Sequence, residues 1–191
     1  MVLPALLYIA WDIFFTAKGV WSFNAQYVTG INIFNLPVEE VLFFFVVPYC
    51  CIFIYECVRV YFPSIKNKKW ADIILKLLAL ILFVVGIIFH DRYYTSWTFI
   101  FTAVVILIIY LCRSLCKYFD AASFLIAFGI MLVPFLIVNG LLTSIPVVIY
   151  NNAENLRIRI FSIPFEDVFY GMLLIMMSIV LYERSVRREA K

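Results

Sequence analysis

Leu36-Pro37-Val38-Glu39-Glu40-Val41 and Ile163-Pro164-Phe165-Glu166-Asp167-Val168 are two versions of one string, 127 positions apart, and each opens a long apolar segment. The same offset carries outward without a gap. Thr16 falls on Thr143, Asn24 on Asn151, Phe34 on Phe161, and Tyr55-Glu56 on Tyr182-Glu183. Asp12 falls on Asn139, at the same distance before each Pro. Apolar sequence yields chance Ile and Val matches, but not a Pro-x-Glu-acid string and a Tyr-Glu end together. The offset spans four helices, an even number, so both copies point the same way through a membrane. Repeats of this kind place ligand sites at their mutual interface.

Around the repeat, 66% of the 191 residues are hydrophobic, 14% are charged, and mean hydropathy is +1.05. Soluble domains carry about 45–50% apolar and about 25% charged residues. The composition excludes a disordered chain, a nucleic-acid-binding domain and an ordinary cytosolic enzyme. Lipid must solvate the excess, because a core of this size cannot hide it. Six apolar segments, 1–17, 37–58, 73–90, 97–113, 121–142 and 164–183, predict an all-α bundle of about six transmembrane helices. The chain reads as one membrane domain over 1–191: repeat one 1–58, a linker helix 73–90 and repeat two 97–183. Copy two is a three-helix unit and copy one has two, which predicts a seventh helix ahead of Met1. Pro4 and Pro134 fall inside helices, as bundles tolerate.

Charge sets the orientation. Arg59, Lys66, Lys68, Lys69, Arg113, Lys117, Arg184, Arg187, Arg188 and Lys191 share one side; Lys18, Arg92, Arg157 and Arg159 share the other. The richer side belongs in the cytoplasm. Both termini are therefore expected there, with the long loops 18–36 and 143–163 outside.

Each acidic pair has a capping role open to it, since Pro suits a first helical turn and carboxylates there oppose the helix dipole. Recurrence in both copies, and the apolar residues that follow at once, point further. Carboxyl groups near hydrocarbon are costly and, when desolvated, can serve proton transfer, with unequal surroundings separating a donor from an acceptor. Neighbours on a helix lie about 100° apart, so one member of each pair faces a site. Glu39 and Glu166, the identical members, are favoured, with Glu40 and Asp167 next. Asp12 interrupts an apolar run and is a third candidate. Asp91, in the turn His90-Asp91-Arg92, is a candidate against a solvated loop acid. His90 reads as a loop residue, and Glu56 and Glu183 as interfacial ion-pair members. Trp11 and Trp21 suit an aromatic belt, while Phe43, Phe44, Phe169 and Tyr170 adjoin the acids, where rings steady a positive centre.

The chain has no GxGxxG, HExxH or GxSxG string. Its five Cys and single His do not form a zinc set. No metal and no cofactor are expected.

These residues resemble the integral-membrane lycopene cyclase domain, in its fused two-repeat, carotenoid β-cyclase form. The likeness rests on four stretches. They are Trp11-Asp12 before Gly19-Val20-Trp21-Ser22-Phe23-Asn24, Leu36-Pro37-Val38-Glu39-Glu40 before Phe43-Phe44, Asp91 with Tyr94-Thr95, and Pro164-Phe165-Glu166-Asp167. The fused form generally has seven helices. The resemblance implies a cofactor-independent isomerase that converts lycopene to γ-carotene and then β-carotene. It implies catalytic acids among Glu39, Glu40, Glu166, Asp167, Asp12 and Asp91. Substrate would lie against Trp11, Trp21, Phe43, Phe44, Phe169, Tyr170 and Asn139. Expected partners are a lipid-soluble polyene, the bilayer and other carotenoid-pathway enzymes, with no nucleic acid. The expected location is a bacterial inner membrane. Three rivals use related parts: a Mg²⁺-dependent prenyl-diphosphate transferase, a proton-linked transporter, and a carotenoid hydratase in which water quenches the cation.

Overall fold

The computed structural model describes residues 2–112 and 116–189, the side chains of 187–189 excepted. Met1, Arg113 and Lys191, and the side chains of Arg187 and Arg188, lie outside the described residues. Six helices follow the six apolar segments: α1 Val2–Lys18, α2 Val38–Tyr61, α3 Lys69–Ile88, α4 Tyr93–Leu111, α5 Ala121–Ser144 and α6 Phe165–Glu189. Among the described residues, five helices, α2 to α6, are long and apolar enough to cross a membrane. The sixth, α1, has 17 residues, roughly 25 Å at the rise of an α-helix. The chain is an all-α membrane bundle.

Helix ends follow local chemistry. α4 starts at Tyr93, four residues ahead of the expected 97. There Glu154 accepts from the first-turn donors, with its Oε2 on the Tyr93 N–H (3.0 Å) and its carbonyl on the Tyr94 N–H (3.0 Å). Such donors have no partner within the helix. Pro4 lies in the first turn of α1, where its missing N–H costs nothing. Pro48 and Pro134 are the residues inside helices.

The two long loops are not plain loops. They contain β1 Trp21–Phe23, β2 Asn32–Ile33, β3 Leu36–Pro37, β4 Val148–Tyr150, β5 Arg159–Ile160 and β6 Ile163–Pro164. Hairpin β2–β3 pairs Asn32 with Pro37 and Ile33 with Leu36; β5–β6 pairs Arg159 with Pro164 and Ile160 with Ile163. The two registers differ by the repeat offset. At the hairpin tips, Phe34 (φ 59°) and Phe161 (φ 58°) both take the left-handed conformation. Strands β1 and β4 pair antiparallel, Trp21 with Tyr150, Ser22 with Ile149 and Phe23 with Val148. Two reciprocal bonds flank them, Asn24 N–H to the Val147 carbonyl and Asn151 N–H to the Val20 carbonyl, both 2.9 Å. Equivalent strands paired in this way define a pseudo-two-fold axis through Ser22 and Ile149.

Below this strand pair, α2 packs on α5, α4 on α6, and α3 on α4. Helices in lipid gain little from the hydrophobic effect and associate through close packing of small residues. Ala71, Ala103, Ala121, Ala122 and Ala127 are buried accordingly. At Gly86 of α3, an added Cβ would stand 2.8 Å from Ile100 Cγ1 of α4, which requires glycine. Ile73, Leu77, Leu80 and Ile81 of α3 are exposed to the lipid side. At the end of α2 and α6 away from the strands, Arg59 pairs with Glu56 (2.8 Å) and with buried Glu183, which also accepts from the Tyr55 hydroxyl (3.1 Å).

Candidate active site

Each acidic pair divides its labour, because its members face about 100° apart. The first member reaches back over its own hairpin loop. Glu39 Oε1 accepts the Thr29 N–H (2.8 Å), and Glu166 Oε1 accepts the Leu156 N–H (2.7 Å) and the Thr95 hydroxyl (2.6 Å). Thr29 and Leu156 are themselves equivalent under the repeat. Glu39 is exposed, whereas Glu166 is fully buried. Glu39 and Glu166, the pair favoured on identity, each hold a loop in this way, neither lines the cavity under the strand pair, and the Oε2 of Glu166 is buried without a hydrogen-bond partner. Glu166→Ala leaves a buried N–H and a buried hydroxyl without their acceptor, at a cost of about 1–3 kcal/mol. Glu39→Ala loses a solvent-exposed bond and costs less. Thermal unfolding of the two purified variants checks this, and equal losses would contradict it.

The second members meet. Glu40 and Asp167 line a chamber of about 90 Å³ together with Asp12. Its walls come in equivalent pairs across the pseudo-axis: Asp12 with Asn139, Glu40 with Asp167, Phe43 with Tyr170, Phe23 with Tyr150, and Trp21 with Val148. The backbone is symmetric and the chemistry is not. Both oxygens of Asp167 are held by phenols, Oδ1 by the Tyr94 hydroxyl and Oδ2 by that of Tyr150 (2.7 Å). Burial first, and then the neighbouring Asp167, push the Tyr150 phenol well above its ordinary value. It stays a protonated donor. Asp12 has the Trp21 indole against it, yet its Oδ2 is buried without a hydrogen-bond partner, as is the Tyr170 hydroxyl. Glu40 lies within electrostatic reach of both other carboxyl groups. Three carboxyl groups share this space and, among the described residues, no Lys or Arg lines it, although Arg159 lies within electrostatic reach of Asp167. Like charges that close cannot all ionise, so the cluster is suited to holding a proton and passing it on.

Of the candidate substrate-contacting residues and acids, Trp21, Phe43, Tyr170 and Asn139 also line the chamber, and four others besides Glu39 and Glu166 do not. Asp91 is exposed in the turn between α3 and α4, because α4 begins only two residues later. Trp11 packs on Tyr8, Phe101 and Tyr170 (ring centroids 5.5, 5.2 and 5.3 Å), about 100° round α1 from Asp12. Phe44 is buried against Tyr8 (5.6 Å), and Phe169 packs between Phe99 and Phe165 (5.2 Å each). The expectation that all acid-adjacent rings share the site ignored helix rotation. Tyr94 and Tyr150 were missing from the candidate site. The repeat held a signal for Tyr150, since it is the partner of Phe23 beside the quoted Trp21. Tyr94 was visible only as a neighbour of Asp91.

A model of the lycopene cyclase family matches residues 1–58 and 91–185, the blocks on either side of α3. Two curated relatives, each named lycopene beta-cyclase and from two strains of Halobacterium salinarum, are 44% identical over 46 residues. That stretch is 24% of this chain and 19% of each relative, so the match spans about a fifth of their length. No solved structure matches the chain significantly.

Proposed function

The chain belongs to the lycopene cyclase family, and from that premise we propose that its acid chamber closes the acyclic ends of lycopene into β-ionone rings, giving γ-carotene and then β-carotene. A carboxylic acid adds its proton to the terminal double bond. The next double bond attacks the resulting tertiary cation and forms the ring carbon–carbon bond. A carboxylate removes a proton beside the ring cation and leaves the ring double bond. One proton enters and one leaves, so the product is an isomer and no electrons are exchanged.

The observation that carries this reading is the meeting of Asp12, Glu40 and Asp167 with aromatic rings in one apolar chamber. Two phenol donors suit Asp167 as the anion that accepts a proton. The unpartnered Oδ2 of Asp12 suits a protonated acid, and Glu40, within electrostatic reach of both, suits the return of the proton. The rings of Trp21, Phe43 and Tyr170 face the place where positive charge develops. Proton relay among carboxyl groups resets the site without a cofactor.

The substrate reaches the site from the bilayer, where other enzymes of carotenoid synthesis would release it. The setting of this reading is a bacterial inner membrane with both termini cytoplasmic, an orientation that the charge distribution supports. Expression in lycopene-accumulating bacteria, followed by pigment chromatography, is expected to give γ- and β-carotene. Unchanged lycopene with the protein present in the membrane contradicts the reading. A hydroxylated carotenoid would show that water, not proton loss, quenches the cation.

A further inference from the structure

α3 stands outside both repeats and is the least buried of the five spans. Its residues Lys76, Ala79, Leu80 and Phe83 follow the i, i+3, i+4 and i+7 spacing of one helix face. That face borders a groove of about 510 Å³, whose other wall is α4 between Ala103 and Leu111. The volume lies in the range of ligand sites. Ala79 and Ala103 both line it, and their short side chains give it depth. The helix expected ahead of Met1 answers to α4 in the repeat. Since α4 packs on α6, that helix would pack on α2, across the pseudo-axis from this groove.

The groove is apolar except at one end. Lys76 lies seven residues into α3, roughly 10 Å from its start. A cation at that depth is costly, and its long stem lets it reach back toward the interface. The Lys76 Nζ stands over the Tyr110 ring, 4.8 Å from its centroid. The Tyr110 hydroxyl donates to Asp72 Oδ1 (2.9 Å), which fixes the ring beneath the ammonium. Among the described residues both ion pairs are made by Arg59, so neither engages Lys76. Lys66, Lys68 and Lys69 are exposed at the same end, beside an exposed Trp70 whose indole suits the headgroup level.

We propose that the groove between α3 and α4 binds one anionic phospholipid, with its phosphate on Lys76 and an acyl chain along Ala79, Ala103 and Phe83. Charge chooses the occupant. The Tyr110 ring takes one side of the ammonium and leaves N–H donors for phosphate oxygens. A zwitterionic headgroup brings its own cation against Lys66, Lys68 and Lys69, whereas an anionic headgroup meets them favourably. The bound lipid fastens α3, which neither repeat includes, to α4 of the second repeat. The site shares no lining residue with the acid chamber, so it stands or falls apart from the cyclase reading.

The full chain, purified and stripped of lipid in mild detergent, is titrated with phosphatidylglycerol or phosphatidylcholine. Bound lipid is counted by native mass spectrometry, and helix melting temperature follows each addition. The wild type is expected to hold one phosphatidylglycerol in preference to phosphatidylcholine and to melt higher with it. Lys76→Gln removes the cation from an exposed position; it is expected to bind phosphatidylglycerol about fivefold more weakly, the worth of one lysine beside anionic lipid. Ala79→Phe fills the groove with Lys76 in place and is expected to lose both lipids. Lys18→Gln is the control, because Lys18 also stands over a ring, that of Phe14 at 5.7 Å, at the other end of the bundle. It is expected to bind as the wild type does. Equal binding of the two lipids by the wild type overturns the proposal. Wild-type binding by Lys76→Gln also overturns it and leaves Lys76 a snorkelling cation only. A loss in Lys18→Gln as large as that in Lys76→Gln overturns it as an effect of net charge. Wild-type binding by folded Ala79→Phe places the lipid elsewhere and overturns it too. If Ala79→Phe does not fold, Lys76→Gln against Lys18→Gln decides the matter.

Discussion

Asp167→Asn is expected to remove cyclisation, leaving conversion about 10²–10⁴-fold below wild type, the usual worth of one acid or base. The effect is chemical because the replacement is nearly isosteric. The amide oxygen accepts from one of the two phenols that hold Asp167, and the amide nitrogen donates to the other phenol oxygen. What is lost is the ability to take a proton. Tyr150→Phe removes one donor from Asp167 and lowers conversion less. The Tyr150 phenol is pushed up by burial, so it stays protonated through the neutral range and adds no break to the pH profile of its own. Glu39→Gln keeps an acceptor for Thr29 and touches no chamber wall, so its conversion stays at the wild-type level. Pigment chromatography normalised to membrane protein separates the three. Wild-type conversion by Asp167→Asn would take this carboxyl out of the chemistry.

The other large effect lies at the opposite end of the bundle. Arg59→Met is expected to destabilise the protein by about 3 kcal/mol, the lower end for a broken buried pair. The lower end applies because the Arg59 side chain keeps 10% of its surface exposed, against 2% for Glu183. Removing the guanidinium takes a cation away from buried Glu183, and the Tyr55 hydroxyl offsets only part of the carboxylate's desolvation. Replacing both partners, Arg59→Met with Glu183→Leu, recovers much of the loss, since an apolar pair has no charge to desolvate. Denaturant or thermal unfolding in detergent reads both. A loss below about 1 kcal/mol for Arg59→Met would place the pair among weak surface bridges.

Much of this molecule was legible from residue types alone. The six helices stand where the apolar segments stand, within a few residues, and α4 departs because its donors are met by Glu154, 61 positions later. The repeat predicted equivalence between distant loops, and the hairpins at Asn32–Pro37 and Arg159–Pro164 carry it to the level of backbone register. The acidic strings marked the end of the bundle where the chamber lies. Within each string, identity between copies pointed to Glu39 and Glu166. What the copies share is the backbone they hold, Thr29 by Glu39 and Leu156 by Glu166. The members that differ, Glu40 and Asp167, face a site that is chemically asymmetric.

Hydropathy, charge and internal repetition are local properties, written residue by residue, and they determined the spans, the duplication and the place of the acidic strings. Which carboxyl looks inward and which phenols meet it depend on helix rotation and on the pairing of β1 with β4. Those are set by contacts between separate segments, with Tyr94 lying 73 and Tyr150 lying 17 residues from Asp167, and only the packed bundle decides them.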